Sequence, residues 1–206
     1  MPRRKPRNDD LRRAVAVEAA RILSEQGIRD YQLAKKKAAR RLGVSPYAGM
    51  PKNSEVEFAL RESLELFGGS QHRQRLQRLR EAALEAMHHL EAFSPRLVGP
   101  VLDGTADENS VIDLQVFAET PEQFALYLDQ IGIPYDQTEC VIRLHVNAQE
   151  PFPLFQFDAG NHAYDVAALP MKALRQPPLS PIDGKPMRRA SAYALRELMA
   201  AECAAA

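Results

Sequence analysis

Apolar residues recur at helical spacing through the first 94 positions, and after Pro95 the period shortens to that of strands. Leu11, Val15, Ala19 and Ile22 follow Asp9 and Asp10, either of which can cap a first helix, and Gly27 is a natural stop. Asp30 heads a second helix bearing Leu33, Ala34, Ala38 and Leu42, closed by Gly43. Two prolines and a glycine make residues 45–51 a loop. Ser54 opens a third helix with Val56, Ala59, Leu60, Leu64 and Phe67, ended by Gly68-Gly69. Ser70 opens a fourth with Leu76, Leu79, Ala83, Met87 and Leu90, which ends near Ser94-Pro95 because a residue before proline avoids the helical region.

Beyond Pro95, residues 96–102 read as a short strand and residues 111–117 as a second, with a polar loop between them. Thr120-Pro121 caps a helix carrying Phe124, Leu128 and Ile131. Residues 140–146 alternate like a strand, and residues 154–157 and 164–169 read as a hairpin around 158–161. A proline-rich connector from Pro170 to Pro186 leads to a last helix over about 188–201. The order of elements predicts an α+β fold: a helical region over 1–94, then a small mixed sheet with flanking helices over 95–206.

Composition adds little until charge is resolved by position. The formal net charge is zero, yet residues 1–50 hold 13 Lys/Arg against 5 Asp/Glu, and residues 101–150 hold 1 Arg against 10 Asp/Glu. A basic head suits nucleic acid and an acidic middle suits a cation, or each can simply solvate a surface. No apolar run is long enough to span a bilayer, so no membrane role is expected. The basic N-terminus lacks an apolar segment behind it, and the two cysteines, Cys140 and Cys203, make no framework. A reducing cytoplasm is therefore the expected compartment.

The acidic middle carries the candidate chemistry. Nucleotidyl transfer needs positioned metal ions more than covalent help, and magnesium wants hard oxygen ligands. Carboxylates two apart on a strand share a face, and one on a neighbouring strand completes a platform. A glycine turn beside it lets backbone N–H groups approach phosphate. In this sequence Gly99 precedes a Gly104-Thr105 loop pair, then Ser110, then Asp113-Leu114, and Tyr164-Asp165-Val166 follows on a later strand. Residues 97–169 thereby resemble the polymerase-β-like nucleotidyltransferase superfamily, as a degenerate member. The resemblance implies that Asp113 and Asp165 hold magnesium in the catalytic position. It further implies that Gly99, Gly104, Thr105 and Ser110 face the phosphates of a nucleoside triphosphate. Two departures stand out: Pro100 replaces the family's serine, and Val111 occupies the place of its first aspartate. Should the register slide so that Asp113 is the first acid, Gln115 replaces the second. Weak or lost transfer of a nucleoside monophosphate to an acceptor is expected, with nucleotide binding retained.

Other candidates are weaker. His88 and His89 are adjacent, so they point apart and make poor co-ligands; His145 and His162 have no evident nucleophile to serve. Residues 38–45 resemble the first helix and turn of a helix-turn-helix unit, but Pro46, Gly49 and Pro51 interrupt the recognition helix that should follow. Lys35, Lys36, Lys37, Arg40 and Arg41 could still neutralise phosphates without reading sequence. The competing expectation is thus a non-enzymatic nucleic-acid-binding accessory or regulatory protein, acting through its basic N-terminal helices.

Overall fold

The computed structural model describes residues 8–28, 30–45, 49–107, 110–145 and 148–204. The chain divides into two compact units: Met1–His72 with Pro181–Asp183, and Arg73–Ser180 with Gly184–Ala206.

The first unit is built on helices α1 (Asn8–Gln26), α2 (Tyr31–Arg41) and α3 (Asn53–Phe67). Asp30 caps α2 by accepting hydrogen bonds from the backbone of Gln32 and Leu33 at 2.7 and 3.1 Å. Val15, Ala19 and Ile22 of α1 pack on Ala34, Ala38 and Ala39 of α2 and on Val56 and Leu60 of α3. On α2 the buried stripe is set by small residues rather than large ones: Leu33 and Leu42, expected inside, are 42% and 44% exposed. The alanines let helix axes approach closely, which leaves the leucines on the outer rim. The expected loop at 45–51 agrees at Ser45 and at Gly49–Pro51, which are not helical; residues 46–48 lie outside the described ones.

The second unit takes in α4 (Gly69–His89) from Arg73 onward, and a five-stranded mixed sheet ordered β1-β2-β5-β4-β3. Its strands are β1 (Arg96–Val98), β2 (Ile112–Ala118), β3 (Asp136–His145), β4 (Ala148–Ala159) and β5 (His162–Pro170). Only β2 and β5 run parallel; the other neighbours are antiparallel. Gly160 and Asn161 both carry positive φ, the requirement of the tight turn that joins β4 to β5. On one face Ile112, Leu114, Val116, Phe155 and Val166 pack under α4 and under Phe124 and Leu128 of α6 (Pro121–Gln130). On the other face a smaller cluster of Phe117, Leu144, Phe152, Leu169 and Ala173 closes one end, with Ala173 supplied by the short helix α7 (Lys172–Arg175).

The strand expected over 96–102 is shorter than its apolar run. It stops at Val98, and residues Gly99–Asp103 form the single-turn helix α5. Gly99 at φ +70° turns the chain, and Pro100 in the first turn of α5 has no N–H to offer a sheet. The fourth helix likewise stops at His89, before a 3-10 turn over Glu91–Phe93 and a left-handed Ser94. The final helix, α8, spans Ala192–Ala204. Just before it, Ala190 exchanges backbone hydrogen bonds with Leu97 at 2.9 and 3.0 Å, which extends the sheet past β1.

Candidate metal and nucleotide site

Period-two alternation sends Asp113, Gln115 and Phe117 of β2 to the face opposite the α4 core. Parallel pairing sets Asp113 directly across from Asp165 of β5. Paired residues share a face, so two carboxylates from distant parts of the chain stand on adjacent strands, about 4.8 Å apart at the backbone. Both are half-buried. Gln156 of β4, across from Asp165 on its other side, donates from Nε2 to Asp165 Oδ1 at 2.9 Å. Carboxylates side by side on one face repel each other, and a cation between them relieves that repulsion.

The glycine turn meets this pair. Val98 pairs with Asp113 across β1 and β2. A Cβ at Gly99 would lie 2.7 Å from Asp113 Oδ2 and 3.3 Å from its Cγ, and the backbone there holds φ +70°. Glycine is therefore required twice over, by conformation and by space. Gly104 ends α5 in the left-handed region at φ +82°, and Thr105 behind it is buried. Ser110 sits in the same loop, where its Oγ accepts from Asp107 N at 2.8 Å and contacts Asp107 Oδ1 at 2.9 Å. Arg80 of α4, 2% exposed, secures α5 from below: Nε donates to Val101 O at 3.0 Å, Nη2 to Leu102 O at 3.2 Å, and Nη1 pairs with Glu202 of α8.

Cationic groups border the acidic face. Ala190 pairs with Leu97 on the core side, so the neighbouring Arg189 turns toward the carboxylate face. There its guanidinium lies 5.5 Å from the Phe117 ring centroid and donates to Ala173 O and Leu174 O at 2.8 and 3.0 Å. Burial, with Arg96 nearby, lowers its pKa. Arg188 pairs with Asp103 at 3.1 Å. Burial raises the Cys140 thiol, and the negative field of Asp165 adds to the rise.

Sequence reasoning named Asp113, Asp165 and Gly99, and the fold brings these three together. It did not single out Gln156, Arg80, Arg188 or Arg189, whose roles come from register and from the return of the chain after the proline-rich stretch. No motif marks them. Val111 directly precedes β2. Among the described residues no three His, Cys, Asp or Glu side chains converge to hold a metal. The fit to magnesium is thus a two-carboxylate one, with hard oxygen donors of the right kind. A separate groove of about 660 Å³ opens on the opposite face of the sheet, lined by Tyr127, Ile133, Phe157 and Tyr164, away from the carboxylate pair.

The basic row of α2 is split by the fold. Lys36, Lys37, Arg40 and Arg41 are exposed, but Lys35 is 5% exposed and donates from Nζ to Pro51 O at 3.1 Å. Lys35 falls on the alanine stripe with Ala34, Ala38 and Ala39, so helical period alone withdraws it from the outer surface. Arg41 is paired with Glu18 at 3.0 Å and Lys37 donates to Gln26 Oε1 at 3.0 Å.

No protein-family model matches the chain, and no curated protein matches it. Among solved structures the chain is similar to Cid1 in complex with the UTP analog UMPNPP, at 20% identity and a TM-score of 0.33. The match covers 50% of this chain and 32% of that one. Among the described residues no helix is long and apolar enough to cross a membrane.

Proposed function

We propose that the chain binds a magnesium-nucleoside triphosphate on the carboxylate face, as a nucleotidyltransferase-like protein whose transfer of a nucleoside monophosphate is weak or lost. The observation that supports this reading is the in-register meeting of Asp113 and Asp165 with the Gly99 turn packed on Asp113. Asp113 and Asp165 would hold the ion, which supplies charge neutralisation at the phosphates. Gly99, Gly104 and Thr105 shape the adjacent turn, where small side chains let a phosphate come close. With valine at position 111 the carboxylate set is short by one, which removes the means of placing a second ion and so lowers transfer. Calorimetry with ATP, CTP, GTP and UTP in magnesium tests the reading. Saturable binding is expected, and no binding at millimolar nucleotide would remove it.

The exposed cations of α2 support a second, independent role in contacting nucleic acid. Lys36, Lys37 and Arg40 lie on one exposed stretch of a helix whose other side is buried. Contacts made only to phosphates weaken steeply with salt. Reversing the three charges should abolish the shift of a fluorescent duplex or RNA, and a salt-independent shift would exclude this role.

A further inference from the structure

The groove on the core face of the sheet is acidic at one end and apolar at the other. Residues of α4 from Arg78 to His89 form one wall, about 16 Å long at the helical rise. Glu81 and Glu85 stand on that wall at i and i+4, so two like charges lie on one helix face, an arrangement that costs stability when no cation relieves it. Glu81 accepts from Gln77 Nε2 at 2.9 Å, and among the described residues no cation pairs with either carboxylate. Arg78, also on the wall, is drawn the other way: its Nε donates to Gln74 O at 3.3 Å, one turn nearer the start of the helix.

Two tyrosines mark the two ends. The Tyr164 hydroxyl donates to Ala82 O at 3.2 Å, beside the carboxylates; burial raises its pKa, and the negative field of Glu85 adds to the rise. The Tyr127 hydroxyl donates to His89 O at 2.6 Å, about 10 Å further along α4, where Ile131 and Ile133 line the groove. Both hydroxyl protons are spent on the helix backbone, which pins the rings and leaves an apolar surface to a ligand. Ala82 and Ala86 lie on the same wall, and their small side chains keep the trough open. The trough holds about 660 Å³, the size of a small-molecule site.

We propose that this groove binds a small organic cation, with its ammonium head at Glu81 and Glu85 and an aryl or branched alkyl body laid against Tyr127 and Ile133. The carboxylates favour positive charge at one end, and hydrogen bonds from an ammonium to them are charge-assisted. The apolar end gains from covering carbon and offers aromatic surface to the same ligand. An anion is repelled, and a neutral ligand gains only the apolar half. The site lies on the face opposite Asp113 and Asp165, so it stands whether or not nucleotide binds there.

The test titrates the full ¹⁵N-labelled chain with three probes of one shape: 2-phenylethylammonium, neutral 2-phenylethanol and the anion phenylacetate. It is run near pH 8, where His89 and His162, which also line the groove, are neutral. The ammonium probe should shift the amide signals of Gly160, His162 and Tyr164 saturably. The alcohol should bind about tenfold more weakly or worse, and phenylacetate should give no saturable shift. Replacing both acids, Glu81→Gln with Glu85→Gln, should bring the ammonium probe down to the affinity of the alcohol; both positions are exposed, so the fold is retained. Ala86→Leu fills the trough and should remove binding of all three. Equal affinity for ammonium and alcohol in the wild-type chain would overturn the proposal. So would an undiminished ammonium preference in the double variant, or saturable shifts that fall on Asp113 and Asp165 instead. No saturable shift at millimolar ammonium probe would equally remove it, and none of these outcomes bears on the nucleotide reading.

Discussion

An alanine at position 99 would place its Cβ 2.7 Å from Asp113 Oδ2 while holding a backbone φ of +70°. The left-handed conformation alone costs a side chain about 1–2 kcal/mol, and the contact adds to it. Gly99→Ala should therefore lower the urea midpoint and also weaken nucleotide binding, because the carboxylate must turn away; an unchanged midpoint would show that the turn relaxes freely. Tyr164, the residue before Asp165, makes a prediction about pH. Its side chain is buried, its hydroxyl donates to Ala82 O at 3.2 Å, and burial together with Glu85 pushes its pKa up to about 12. The unfolded phenol ionises near 10, so the neutral form is favoured by folding. The stability this confers is complete below about pH 10 and is lost as pH rises through about 12. Denaturation midpoints should fall in that alkaline window for the wild-type chain and fall less steeply for Tyr164→Phe.

Element boundaries test how the glycine turn is held. Arg80 ties α4 to the last carbonyls of α5 and reaches Glu202 on α8, so three helices meet at one buried guanidinium. Arg80→Met leaves two carbonyls short of a donor and should cost about 2 kcal/mol in chemical denaturation. Glu202→Gln should cost far less, since that carboxylate is half exposed. Equal losses from both would mean that the ion pair, not the carbonyls, carries the effect. These contacts explain what the sequence could and could not disclose. Helical and strand periods located α1 to α4, β2 and α6 because apolar spacing is local. The glycine at 99 and the aspartates at 113 and 165 stand out in the sequence by their spacing, and their juxtaposition comes from the sheet. Pairing is not local: that Asp113 faces Asp165, that Gln156 reaches it, and that Arg189 returns across Phe117 depend on sheet order, which no single segment encodes. Lys35 shows the converse error. A run of three lysines reads as a charged surface, yet 3.6 residues per turn put its first member on the alanine stripe.

Across the whole chain the cancellation of charge divides by position, with cations concentrated before residue 50 and acids between 101 and 150. Electrostatic contacts of the two regions should respond oppositely to added divalent ion. On the proposed reading magnesium would compete with the α2 cations for nucleic-acid phosphates and would fill the carboxylate pair. On the proposed reading, Val111→Asp should raise Mn²⁺ affinity and allow measurable transfer of a labelled nucleoside monophosphate; tighter binding without transfer would contradict the role given to position 111. The most direct test of the carboxylate site is crystallographic. Crystals soaked with nucleotide and manganese should show an anomalous peak within ligand distance of both Asp113 and Asp165, with the phosphates toward Gly99. A peak remote from that pair, or nucleotide seated in the groove beside Tyr127 and Tyr164 on the other face, would contradict it.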